Sequence, residues 1–119
     1  MNKQEIDLYV TMKSGAYRYD AKANKLIQVS KEDVRMATAK QDYVKDAPIN
    51  IVFVSDKTKD GDSKTNSGFI SQNIYLFCAS EGLGTVVRGY FDANEVSKAL
   101  NLKETQVPVL CQTVGKKKN

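Results

Sequence analysis

Two cysteines, a pair of closely spaced glycines, a Gln–Asn pair inside an apolar run and three consecutive lysines are the residues of this 119-residue sequence that could do chemistry. There is no histidine. Ser-His-Asp and Cys-His nucleophilic machinery and the usual zinc ligand sets are thereby removed, because each needs an imidazole as base or ligand. No metal site is expected, and no side chain reads as a catalytic nucleophile. Cys78 and Cys111 are far apart and each lies in an apolar run, so buried reduced thiols are expected rather than a disulfide.

The other features each allow two readings. Gln72 and Asn73 interrupt an apolar helix and need hydrogen-bond partners if buried; ordinary backbone or subunit contacts are favoured over a ligand role. Gly82-Leu83-Gly84 either caps a helix and makes a tight turn, or lets the main chain approach something flat and offer its amides. Gly115-Lys116-Lys117-Lys118 is a solvated tail, or a phosphate clamp if its strand delivers it to a site. The formal net charge is +4, and three of those charges are Lys116, Lys117 and Lys118. Elsewhere lysines are interleaved with acids, so no basic stripe for nucleic acid is expected.

These residues need elements to position them. Ile6, Leu8, Val10 and Met12 alternate with polar residues, the period of a half-buried strand; with the runs 16–20 and 25–29 they predict a three-strand antiparallel meander. Ser30 and Asp33 mark a short helix with Val34, Ala37 and Ala39 on its apolar face. Ile49 to Val54 reads as a central strand covered on both faces. Asp56 to Ser67 is polar and reads as a loop or a frayed helix start. A helix follows over 69–81, with so few polar residues that it is expected to be buried nearly all round, and Gly82 ends it. Thr85 to Tyr90 is extended, Asp92-x-x-Glu95 opens another helix, and Val107 to Val114 is a last strand containing Pro108.

This length suits one domain, residues 1–119, with a single core. No apolar run reaches the roughly 20 residues of a membrane-spanning helix, and the N-terminus has no signal-peptide core. A soluble, cytoplasmic chain with no membrane partner is expected.

Residues 68–92, from Gly68-Phe69-Ile70-Ser71-Gln72-Asn73 through Glu81-Gly82-Leu83-Gly84-Thr85 to Val87-Arg88-Gly89-Tyr90-Phe91-Asp92, resemble the central helix and following loop of the FMN-dependent nitroreductase family. The nearest likeness is to its thiazole/oxazole-forming dehydrogenase-like branch. Val107 to Gly115 resembles the family's final strand, and Asn2-Lys3-Gln4-Glu5 resembles the end of its Pro-Ser-Ala-x-Asn-x-Gln segment. The likeness covers nearly the whole chain and is most specific over 68–92.

What the resemblance implies is an α+β fold with a mixed, mainly antiparallel sheet and a long central buried helix. It further implies FMN at a homodimer interface, with its ring against Val87, Arg88 and Gly89, Asn2 and Gln4 at the pyrimidine edge, and Lys116 and Lys118 at the phosphate. The flavin N5 would carry the chemistry, taking a hydride from NAD(P)H and passing two electrons to a nitroaromatic, quinone or azoline. The family's N-terminal phosphate-binding region has no counterpart before Asn2, so an N-terminally truncated form is expected. The alternative is a non-catalytic remnant of the fold that dimerises without binding flavin.

Overall fold

The computed structural model describes residues 6–38, 48–56, 63–88 and 91–116. Strands β1 (Ile6–Met12), β2 (Gly15–Asp20) and β3 (Lys25–Ser30) form the expected antiparallel meander. Its first turn needs a glycine: Gly15 has φ +146°, and a Cβ there would collide with the Ser30 carbonyl oxygen. In the second turn the Asp20 carboxylate accepts from the amides of Lys22 and Ala23, at 3.0 and 3.2 Å, the local bonding that makes Asp a turn residue.

The short helix α1 (Arg35–Thr38) starts later than Ser30 suggests. Ser30 closes β3 and its hydroxyl accepts from Glu32, whereas the Asp33 carboxylate accepts from the Arg35 amide at the helix start. Ala39 lies outside the described residues.

Strand β4 (Ile49–Asp56) takes the expected central place in a six-stranded sheet of order β3-β2-β1-β4-β6-β5, with β5 (Leu83–Arg88) and β6 (Gln106–Lys116) completing it. Every described pairing is antiparallel. The β4–β6 register shifts between Phe53 and Val54, opposite Pro108. A bulge is where a strand tolerates a proline, which has no amide to give the ladder.

Both faces of β4 are covered. Val52 and Val54 share one face with Tyr9, Ala16 and Cys111, and Val96 and Leu100 pack on it from α3 (Ala93–Ala99) and the residue after it. The Asp92 carboxylate caps α3 by accepting from the amides of Asn94 and Glu95, at 3.0 and 3.2 Å, as its spacing predicts. Alternation turns Ile51 and Phe53 to the opposite face, where Ile49, Ile51 and Val114 meet Ile74 and Cys78 of α2 (Ser63–Glu81).

Two features of α2 differ from the sequence expectation. It starts at Ser63 rather than Phe69, because the polar stretch from Ser63 contains no proline to stop a helix once the apolar part has nucleated it. Nor is it buried all round. Ser67, Ser71 and Cys78 are buried, whereas Phe69, Leu76 and Phe77 are 66%, 60% and 60% exposed. A helix lying on one sheet face buries only the stripe at i, i+4, i+7, and the apolar residues of the other face meet no comparable surface among the described residues. Gln72 and Asn73 are exposed as well, so no buried partner is required of them. Gly82, at φ +70°, adopts the left-handed conformation that ends a helix, which favours the capping reading there. Among the described residues no helix is long and apolar enough to cross a membrane.

Candidate functional site

Because the sheet is antiparallel throughout, one of its ends gathers segments distant in sequence. Ile6 pairs with Ser55 and Ser55 with Val107, so β1 begins, β4 ends and β6 begins at the same end. Arg88, the last residue of β5, pairs with Cys111, which pairs with Val52, the partner of Tyr9. The chain therefore leaves β5 toward the end at which it enters β1 from Asn2 and Gln4.

Strand β5 is an edge strand, laddered on one side to β6. Side chains add to that ladder. Thr85 Oγ1 donates to the Thr113 carbonyl oxygen at 2.6 Å and accepts from the Gln112 side-chain amide at 2.9 Å. The Val87 amide, two residues on, donates to the Tyr75 hydroxyl of α2 at 3.0 Å. Residues 85 and 87 are thus tied to β6 and α2 by side chains as well as by the ladder. No cue in the sequence points to Tyr75 or Gln112: one lies in a run that scores only as apolar helix, the other in an apolar strand.

At the shared sheet end lies a cleft of about 870 Å³, lined by residues that include Tyr9, Arg18, Lys22, Asp56, Lys103 and Gln106. That size is in the range of cofactor sites. Gln106 is oriented by its neighbours: its side-chain oxygen accepts from the Lys103 amide at 2.9 Å, so its NH₂ donates to the Tyr9 hydroxyl at 3.3 Å. Burial raises the Tyr9 phenol above its ordinary pKa, with the Gln106 bond opposing; the group stays a neutral donor. This cleft is beside β1 and β2, not against Val87, and none of its polar residues stands out in the sequence. Arg18 and Tyr9, paired across β1 and β2, read there only as members of alternating strands.

The residues expected to bind cofactor fall into three groups. Val87 is partly buried near the end of β5, with its amide engaged by Tyr75. Arg88 and Lys116 are located by their backbone only. Lys116 pairs with Leu83, at the other end of β5 from Arg88, so the two are about 17 Å apart along the strand at ~3.4 Å per residue. Asn2, Gln4, Gly89 and Lys118 lie outside the described residues. Both cysteines are free and buried, as expected.

Three buried polar side chains keep an atom without a partner among the described residues: Ser67 its hydroxyl, Gln112 its side-chain oxygen, and Asn50 both of its polar atoms. Asn50 is fully buried on β4, and both its side-chain nitrogen and oxygen lack a hydrogen-bond partner among the described residues. An unpaired buried polar group costs about 1–3 kcal/mol. Asn50→Val is therefore expected to stabilise the protein by about 1 kcal/mol or more, read as a raised urea midpoint. A lowered midpoint would reveal a partner for this amide.

The family model for the "Nitroreductase family" matches residues 1–116. The chain belongs to the nitroreductase family. It is 30% identical over 121 residues to a nitroreductase-assigned protein of Methanocaldococcus jannaschii, a match covering 91% of this chain and 60% of that protein. A nitroreductase-assigned crystal structure from Ralstonia eutropha is 35% identical with a TM-score of 0.86, over 97% of this chain and 59% of the other. The FMN and NADPH-dependent nitroreductase NfnB from Sphigopyxis sp. strain HMH superposes with a TM-score of 0.55 at 16% identity, over 60% of this chain and 33% of NfnB. This nitroreductase-family chain thus spans about 60% of the length of the Methanocaldococcus and Ralstonia relatives. The α+β nitroreductase fold expected from the sequence is the fold observed.

Proposed function

We propose that this chain acts as an FMN-dependent NAD(P)H oxidoreductase, one that passes two electrons to a nitroaromatic, quinone or azoline-type acceptor. The observation that carries the reading is the place of β5. It is an edge strand that runs toward the sheet end where the chain enters β1; Arg88 stands at that end, and Lys116 of β6 is paired beside Leu83 at the other. An elongated cofactor with a ring at one end and a phosphate at the other suits that arrangement. Arg88 and the Gly89 backbone would meet the ring, Asn2 and Gln4 the pyrimidine edge, and Lys116 and Lys118 the phosphate. With the Val87 amide already engaged, the main-chain donors would come from the residues after it.

When bound, FMN supplies the two-electron chemistry at its N5, which accounts for a site without histidine. The protein's share is binding and orientation. Main-chain donors after Val87 would orient the ring, and the positive charge of Arg88 would favour the negative charge that reduction builds. The thiazole/oxazole-forming branch belongs to the same proposal.

A second reading, a module that dimerises and binds no flavin, is supported by the exposed Phe69, Leu76 and Phe77 on α2, an apolar patch of the kind that marks a subunit contact. A homodimer is proposed under both readings. Anaerobic titration of the dialysed protein with FMN, followed by flavin fluorescence, separates them. Saturation at micromolar FMN with a shifted absorbance spectrum is expected, and no binding at near-millimolar FMN would leave the second reading standing.

A further inference from the structure

We propose that Tyr75 is a positioning residue for the cofactor edge of β5, an inference that rests on the reading above. The geometry is specific. Val87 is the next-to-last residue of an edge strand, and among the described residues β6 is the only strand that pairs with it. In an antiparallel ladder successive residues turn their amides alternately toward and away from the partner strand. The Val87 amide goes to Tyr75 at 3.0 Å, which makes it an outward amide, one that the ladder does not use. Left alone it would point to solvent, and the strand end would be held from one side. The Tyr75 hydroxyl, carried on α2, supplies the second side.

The bond comes at the place where play in the strand would matter most. Two residues earlier, Thr85 is already fixed through Gln112 and Thr113. Past Arg88 the described ladder stops, and the residues proposed to meet the ring begin. Tyr75 is therefore the last described tether before the ligand-binding segment. Its bond holds the peptide plane from which Arg88 and Gly89 follow. A loss of one partly buried hydrogen bond is too small to unfold the domain but large enough to widen the range of orientations at the site.

Tyr75→Phe removes the hydroxyl and keeps the ring, and so the packing. In the flavin-free protein, amide hydrogen exchange at Val87 and Arg88 is expected to accelerate at least tenfold, with Thr113 and Val52 unchanged. In the flavin-loaded protein, the FMN dissociation constant is expected to rise about five- to tenfold, the equivalent of one ordinary hydrogen bond, with a shift in the flavin reduction potential. Ser80→Ala removes a hydroxyl on the same helix that bonds within it, to the Phe77 carbonyl oxygen, and should alter neither quantity. Unchanged exchange at Val87 would overturn the tether. Faster exchange with unaltered FMN affinity and potential would overturn the positioning role while leaving the proposed function intact. A wild-type protein that takes up no FMN overturns both.

Discussion

Phe53→Ala is expected to destabilise the protein by about 3–5 kcal/mol, a large part of the roughly 5–15 kcal/mol that holds a domain of this size together. Among the described residues Phe53 is the largest fully buried side chain. It sits in the middle of the central strand, paired with Leu8 on one side and Leu110 on the other, at the bulge opposite Pro108. Truncation removes apolar area and leaves a cavity that two flanking strands cannot close, because each is fixed in register by its own ladder. Urea unfolding followed by circular dichroism should show a sharply lowered midpoint with an unchanged slope. A loss below about 1 kcal/mol would mean that the face of the sheet under α2 is loosely packed.

The second large effect is in pH. Cys111 is 1% exposed beneath α3, and desolvation raises its thiol from 9.0 to about 12. The folded state therefore holds this proton more tightly than the unfolded chain does. Between pH 9 and about pH 12 the unfolded state loses it first, so stability should fall by roughly 1.4 kcal/mol per pH unit, about 4 kcal/mol in all. Below pH 9 the thiol is protonated in both states and contributes no slope. Tyr9, raised by burial, acts in the same direction. Cys111→Ala removes the thiol's share only, so urea midpoints of the two proteins at about pH 8, 10 and 11 should converge as the pH rises. Parallel lines would show that the thiol titrates at its ordinary value. The same burial makes the neutral-pH thiol a poor nucleophile, consistent with a site in which the protein contributes no covalent chemistry.

Much of the fold was legible because its signals are local. Ile6 to Met12 alternates so strictly that only a half-buried strand fits it. Ile49 to Val54 is so rich in β-branched residues that its central place followed. Asp92 with Glu95, and Gly82 after the apolar helix, mark helix ends through side-chain and backbone chemistry confined to a few residues. The likeness over residues 68–92 identified the family for a related reason: a contiguous segment carries it.

The parts that went unread depend on what faces what. A run such as Ile74 to Ala79 states that a helix is apolar, not how many of its sides will find a partner, so the exposure of Phe69, Leu76 and Phe77 was hidden. Tyr75 and Val87 are twelve residues apart, and Gln106 and Tyr9 ninety-seven; neither pairing has a periodicity of its own. Residue type and short spacing were enough for the elements, their caps, the lack of imidazole chemistry and the family. The sheet order, which ends of which strands meet, and which hydroxyl holds the edge of β5 became visible in three dimensions alone. Those depend on contacts between segments whose separation along the chain carries no local energetic signal.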